Sequence, residues 1–247
     1  MKLSIAIPVY NEEHRLPAKL EPYLMWLDTN SVDYEVVLVD DGSVDGTLRY
    51  LKDLSSRNQR VRFIHSPQNR GRGYGMKTGV LSAAGDYILE TDADLPVSTD
   101  YIITFMKFLE ENLEYDYAIG SRGHPESTFL LKQPAVRVFA GNVFHGIFSF
   151  LFGGNYKDVM CGFKMFRKDA AREIFKYVYD ERYLAAAEIV FVGNKFGFRL
   201  KELPVAWEDD RRSKVSVLKD TLRTIFGLCG MMSRNLGGKY ERIEPKI

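Results

Sequence analysis

Apolar runs of strand length alternate with segments of helical period through the first half of this chain. Leu3–Val9 is almost wholly apolar and reads as a strand, after which Leu16, Leu20, Leu24 and Leu27 recur at helical spacing. Tyr34–Val39 predicts a second strand that ends abruptly at Asp40-Asp41-Gly42-Ser43. A helix over roughly Asp45–Ser56 follows, with Leu48, Leu51 and Leu54 at three-residue steps. Val61–His65 is a third strand, Gly73–Ala84 a helix rich in small residues, Tyr87–Thr91 a fourth strand and Tyr101–Leu113 a further helix. Tyr117-Ala118-Ile119 is one more strand. Strands separated by helices of about 10–15 residues indicate βαβ units, and runs such as Val36-Val37-Leu38-Val39 suit strands buried on both faces. The expected class is α/β, three layers around a mostly parallel central sheet.

The rhythm degrades after about residue 120. Val136–Phe152 is apolar and aromatic; Ala170–Tyr177 and Tyr183–Lys195 read as helices, Arg199–Val205 as a strand and Val217–Asn235 as a last helix. Asp158–Phe166 is neither a periodic helix nor a turn, and Gly162 within it suggests backbone packed against a ligand.

Composition removes several classes. With 247 residues, 45% hydrophobic and 27% charged, the chain can bury a sizeable core, and a net charge of +1 argues against a dedicated nucleic-acid binder. Cys161 and Cys229 are the only cysteines and stand in no metal-ligand spacing, so neither a disulfide framework nor a zinc site is expected. The apolar start is too short for a signal peptide, and no run reaches the roughly 18 apolar residues of a spanning helix. A cytoplasmic location is the expectation.

Candidate chemistry gathers at the predicted strand ends. Asp92-Ala93-Asp94 closes the fourth strand, where ligands bind in open α/β sheets. Two carboxylates at that spacing repel each other unless a cation lies between them, and Mg²⁺ is usually held by one or two carboxylates plus substrate oxygens. The plain alternative is a solvated acidic turn. The phosphatase nucleophile motif D-x-D-x-[TV] fits less well, because Pro96 stands where Thr or Val is needed.

Pro8-Val9-Tyr10-Asn11-Glu12 closes the first strand, either as base and ribose contacts through Tyr10 and Glu12 or as a helix start capped by Asn11. Val39-Asp40-Asp41-Gly42-Ser43 closes the second and offers carboxylates to ribose hydroxyls or a base N–H. Arg122 follows the fifth, and Arg137 begins the aromatic helix; guanidinium groups match phosphate oxygens bidentately. The segment Asn69–Lys77 satisfies neither G-x-x-x-x-G-K-[ST] nor G-x-G-x-x-G, since Met76 takes the third glycine position, so it is read as close helix–sheet packing with some basic help near phosphate. Glu188 sits among alanines, and Arg211-Arg212-Ser213-Lys214 forms a basic loop.

In this order, Pro8-Val9-Tyr10-Asn11-Glu12, Val39-Asp40-Asp41-Gly42-Ser43, Asp92-Ala93-Asp94, Gly120-Ser121-Arg122 and Cys161-Gly162-Phe163-Lys164 resemble family-two inverting glycosyltransferases of the GT-A fold. Within that family the chain is most similar to the dolichyl-phosphate sugar synthases, the glucosyl branch first and the mannosyl branch next. The resemblance implies a GT-A catalytic domain over residues 1–215 and a C-terminal helix and tail over 216–247 at a membrane interface. It implies that Pro8, Tyr10, Glu12, Val39 and Asp41 hold the nucleotide, that Asp92, Ala93 and Asp94 meet the diphosphate, ribose and metal, and that Arg212 and Lys214 cover the donor phosphates.

Arg122 and Arg137 would orient the acceptor phosphate. Asp94, Arg122 and Arg137 are then the expected catalytic residues and Asp92 and Asp94 the expected ligands of Mg²⁺ or Mn²⁺. The implied substrates are UDP-glucose or GDP-mannose and dolichyl or polyprenyl phosphate. The chain departs from the family pattern at Pro96, where mannosyl enzymes often carry a metal-binding Gln, and at Ala186-Ala187-Glu188.

Two other functions stay open at this stage. A saccharide acceptor would need a general base, for which Glu188 is the candidate. A non-catalytic nucleotide- or lipid-binding module would keep the fold without the chemistry. Phe139–Phe152 and Ile225–Met232 are apolar enough for peripheral contact with the cytoplasmic face of a membrane, or for ordinary core helices.

Overall fold

The computed structural model describes residues 2–129, 135–208 and 217–242, with backbone alone at 135–140 and 217–223. Its elements are β1 (Leu3–Val9), α1 (Arg15–Thr29), β2 (Tyr34–Asp41), α2 (Thr47–Arg57), β3 (Val61–Ser66), α3 (Arg72–Ser82), β4 (Tyr87–Thr91), α4 (Asp100–Glu111) and β5 (Tyr117–Gly120). The second half holds β6 (Thr128–Phe129), α5 (Ala135–Phe152), β7 (Phe163–Arg167), α6 (Lys168–Lys176), α7 (Ala185–Lys195), β8 (Leu200–Leu203), β9 (Ala206–Trp207) and α8 (Val217–Leu236).

Seven strands form one sheet in the order β3-β2-β1-β4-β7-β5-β8. All are parallel except β7, which runs antiparallel to both β4 and β5, with Thr91 opposite Phe163 and Ile119 opposite Lys164. The chain builds β1, β2 and β3 outward to one side and then crosses to β4 on the other. The switch point therefore lies between β1 and β4, and their carboxyl ends open a crevice there. A short ribbon of β6 and β9 stands apart from the sheet.

Side chains alternate across the strands and feed two cores. Leu3, Ile5, Ile7 and Val9 of β1 face the layer of α1, α2 and α4, joined by Leu16, Leu20, Leu51, Phe105 and Leu109. Ile5, Ile7, Leu16 and Leu20 are 0% exposed, and each such side chain contributes about 1.5–3 kcal/mol by leaving water. The opposite layer holds α3, α6 and α7, with Phe148 of α5 and Leu228 and Met231 of α8 in the same cluster. Helix α3 lies almost on the sheet because it turns glycines toward it: a Cβ on Gly75 would stand 2.7 Å from Pro8 Cβ, and one on Gly79 3.0 Å from Ala6 Cβ. The packing role read for this segment is the one it plays.

Several sequence expectations need correction. No strand was expected over Phe163–Arg167, yet β7 lies mid-sheet with Phe163, Lys164, Met165 and Phe166 all buried. A fully buried lysine conceals such a strand, because charge at a central position contradicts the apolar run expected there. The strand expected over Arg199–Val205 is β8 alone, and the ribbon strand β9 follows it. Asn11 does not cap α1: it takes a left-handed φ of 54°, and the cap position falls to His14, which makes no side-chain cap bond.

Candidate functional site

Parallel pairing brings the expected motifs to one edge. Val9 lies opposite Asp40, β4 ends at Thr91 just before Asp92, and β5 ends at Gly120 just before Arg122. Because β7 runs the other way, its first residue, Phe163, meets this same edge, with Gly162 just before it. The turns after β1 and β2 are knitted together. Asn11 N–H donates to Ser43 Oγ at 2.9 Å, Val44 N–H to Asn11 Oδ1 at 2.9 Å and Glu12 N–H to Thr47 Oγ1 at 2.7 Å.

The expected nucleotide residues divide into two sets. Tyr10 is 45% exposed beside the crevice, and Glu12 is paired with Arg15, whose Nε donates to Oε2 at 2.6 Å. Pro8 and Val39 are buried with their side chains under Gly75 and Gly79 of α3, so only their backbone reaches the edge. Ala93 likewise points into the α1/α4 core. Asp41 is 3% exposed, and its two oxygens accept Arg70 N–H at 2.9 Å and Gly71 N–H at 2.7 Å. It shapes the glycine-rich loop and has little surface left for a ligand, whereas the sequence suggested a free ribose acceptor. Asp40 is buried behind it, accepting Ser43 N–H at 3.2 Å and lying 2.7 Å from His65 Nδ1.

Asp92 and Asp94 differ in their surroundings. Arg72 binds Asp92 through Nε and the buried Glu90 through Nη2 at 2.7 Å. Asp94 has Arg15 Nη1 at 4.0 Å. Burial, then the negative charge of Asp92, pushes the Asp94 carboxyl up to about 6. A dication beside it would reverse both effects. Two carboxylates on an open edge suit Mg²⁺ or Mn²⁺, which completes its shell with phosphate oxygens and water. Among the described residues no cluster of three or more His, Cys, Asp or Glu forms a closed cage. The residues present therefore fit a substrate-bridged ion, with Asp94 the less firmly paired ligand.

Arg122 lies across the crevice. Asp158 takes its Nε at 2.6 Å, its Nη2 at 2.9 Å and its backbone N–H at 3.0 Å. The guanidinium also stacks on Trp207 with 4.9 Å to the ring centroid, a cation–π contact. His145 Nε2 stands 3.7 Å from Asp158 Oδ1. Asp158, itself buried, thus fixes one edge of the Arg122 fork, a partner that sequence reasoning missed. Its only signal was its place at the head of the Cys161-Gly162-Phe163-Lys164 segment. The Arg137 side chain, Arg212 and Lys214 lie outside the described residues.

Segment 158–164 joins the two sides of the crevice. Fully buried Lys164 bonds the Cys161 carbonyl, and burial pushes its ammonium pKa down. Burial likewise pushes the Cys161 thiol up to about 12.

Glu188 is not placed to act as a base. It is 0% exposed. Its Oε2 accepts Tyr179 N–H at 2.8 Å and Asp180 N–H at 2.6 Å, while Oε1 accepts Arg234 Nη2 at 3.0 Å and the Tyr240 hydroxyl. The carboxylate pins α8 and the residues after it onto α7.

Two predictions follow from these surroundings. The Asp94 pKa lies above the ordinary carboxylate value of about 3.9, so its contribution to stability is present at low pH and lost as pH rises through about 6. Mg²⁺ or Mn²⁺ should recover that loss, raising Tm more at about pH 7.5 than at about pH 5, with the difference absent in Asp94→Asn; scanning calorimetry reads it. Glu188→Gln should destabilise the fold, because breaking a buried ion pair costs roughly 3–5 kcal/mol. Partial exposure of Arg234 puts this case at the low end. A variant of wild-type stability in denaturant melts, with turnover alone abolished, would return Glu188 to the role of base.

Comparison with known proteins agrees with this geometry. The Glycosyl transferase family 2 model matches residues 4–175. Dolichyl-phosphate beta-glucosyltransferase of Dictyostelium discoideum is 31% identical over 246 residues, covering 91% of this chain and 74% of that protein. Glucosyl-3-phosphoglycerate synthase from Mycobacterium tuberculosis, solved in complex with UDP, superposes with a TM-score of 0.65 at 14% identity, over 93% of this chain and 80% of that one. A mannosyltransferase from Pyrobaculum calidifontis, solved with GDP-Man and Mn²⁺, gives 0.57 at 20% identity, over 86% and 58%. At those identities the two structures speak for the fold, which is the expected GT-A arrangement. By the match across most of its length, this chain is a glycosyltransferase and belongs to glycosyl transferase family 2.

Proposed function

We propose that this enzyme transfers glucose from UDP-glucose to dolichyl phosphate with inversion at the anomeric carbon. The observation that carries the reading is the 31% identity, across 91% of the chain, to a protein named for that sugar and acceptor. The open Asp92/Asp94 edge facing Arg122 supports it. GDP-mannose is the second donor to test, since a structural neighbour was solved with GDP-Man.

On this reading residues 1–215 are the catalytic domain, with 216–247 at its membrane side. Tyr10 and Glu12 flank the nucleotide, Asp41 holds the loop against it, and Asp92 and Asp94 meet the ribose, diphosphate and cation. Arg122 and Arg137 orient the acceptor phosphate, and Arg212 and Lys214 cover the donor phosphates. A phosphate monoester has its second pKa at about 6, so the acceptor oxygen is already anionic at neutral pH and needs no base.

That oxygen attacks the anomeric carbon opposite the leaving diphosphate. The new C–O bond forms as the old one breaks, and the electron pair leaves with the nucleotide. The chain's part is preorganised charge: Arg122, fixed by Asp158, aims the nucleophile, and the acidic edge seats the leaving group. Mg²⁺ or Mn²⁺, when bound, would supply further neutralisation of the diphosphate. A saccharide acceptor is disfavoured because Glu188, its candidate base, is buried and fully hydrogen-bonded.

The enzyme works at the cytoplasmic face of a membrane in this proposal. Val143, Ile147 and Phe150 of α5 are exposed, as are Ile225, Phe226, Met232 and Leu236 of α8. Among the described residues no helix is long and apolar enough to cross a membrane, so contact would be interfacial.

A transfer assay with UDP-glucose and GDP-mannose, with and without dolichyl phosphate and Mg²⁺ or Mn²⁺, tests the reaction. Arg122→Lys should raise the acceptor KM by about tenfold or more and leave the donor KM unchanged, because it keeps the charge and loses the fork. No transfer from either donor in the wild type would sink the reading. Co-sedimentation with anionic liposomes tests the location: Phe150→Glu with Phe226→Glu should shift the protein to the supernatant, and a wild type that never pellets excludes the membrane role.

A further inference from the structure

Arg72 matches no phosphate-loop pattern and was not among the site residues expected from the family resemblance. It opens α3 with its guanidinium laid on β4. Nη2 donates to Glu90 Oε1 at 2.7 Å and Nε to Asp92 Oδ1 at 2.5 Å. Glu90 is fully buried and its Oε2 has no hydrogen-bond partner, so Arg72 supplies its side-chain hydrogen bond while Lys164 stands by as a second positive charge. The Asp92 side chain is 30% exposed at the crevice.

The other side of Asp92 is walled by backbone. A Cβ at Gly162 would stand 1.9 Å from Asp92 Oδ2 and 3.1 Å from Arg72 Nη2. One carboxylate oxygen is therefore held by the guanidinium while the other lies against a residue that has no side chain. These two constraints narrow the orientations open to Asp92. A flexible pair of acids would instead trade places around a ligand, at an entropic cost on every binding event.

We propose that Arg72 is a positioning residue for the donor: anchored on buried Glu90, it clamps Asp92 against Gly162 and so presets the carboxylate that receives the nucleotide sugar. This rests on the donor-site reading above. Partners that orient a ligating carboxylate typically contribute about 10–100-fold in affinity, which sets the size of the effect sought.

The test uses the full chain and UDP or GDP with Mn²⁺, titrated calorimetrically. Arg72→Met alone leaves the buried charge of Glu90 to Lys164, so the informative variant is Arg72→Met with Glu90→Gln, which takes one attraction and one repulsion from Lys164 together. It should melt cooperatively, bind the nucleotide about tenfold or more weakly and show a raised donor KM with an unchanged acceptor KM. Gly162→Ala, which leaves Arg72 intact but pushes on Asp92, should weaken nucleotide binding in the same way. Arg72→Lys should recover part of the loss.

Wild-type nucleotide affinity in the folded double variant would overturn the proposal, since Arg72 would then serve Glu90 alone. A wild type that binds neither UDP nor GDP would instead reject the donor-site reading, and this inference with it.

Discussion

Parallel strands aim their carboxyl ends at one edge, and this chain has placed acids at several of them. Asp40, Asp41, Glu90, Asp92, Asp94 and Asp158 all lie at or just behind that edge. The rest of the site depends on how this repulsion is managed. The inner acids are neutralised by the protein: Asp41 by two backbone N–H groups, Glu90 by Arg72 and Lys164, and Asp158 by Arg122. Asp94 is the least compensated, and its raised pKa is the sign of that. On the proposed reading a cation carrying phosphates would supply what the protein withholds there, which ties substrate binding to the electrostatics of the fold.

The single antiparallel strand gives the crevice two sides. Without β7, the end of β4 with its acids and the end of β5 with Arg122 would face each other with nothing between. Its leading residues insert Gly162 beside Asp92, and the loop before it sends Asp158 to Arg122. One short segment thus sets the Asp92 carboxylate and the Arg122 guanidinium together. The buried Lys164 bond to the Cys161 carbonyl holds the segment's bend in place, where an apolar side chain would leave that oxygen unpaired.

Helices on the two faces have different duties. The α1, α2 and α4 layer is conventional aliphatic packing. The α3 layer approaches more closely, through Gly75 and Gly79, and that closeness lets Arg72 at its first turn reach β4. On the same face Glu188 gathers α7, Arg234 of α8 and Tyr240 into one buried hydrogen-bonded knot. The C-terminal helix is thereby fastened to the catalytic core while its outer face, with Phe226 and Leu236, stays open.

The first five strands and the helices between them could be read directly from residue order, because burial on both faces makes short apolar runs and amphipathic helices leave a periodic stripe. The strand-end acids were legible for the same reason: chain direction alone sends them to a common edge. Partnership was not legible. Nothing in the spacing of Arg72, separated from Glu90 by a helix and a turn, says which acid it meets. Nor does the spacing of Asp158 point to Arg122, or that of Glu188 to Arg234.

The strand β7 was hidden by Lys164, whose charge is tolerable only because folding supplies a carbonyl and a neighbouring carboxylate. Local propensity acts through neighbours in the chain, so it marks elements and their ends. Which charges neutralise one another depends on distances that exist only after the sheet has closed, and it was those distances that turned Glu188 from a candidate base into a clasp.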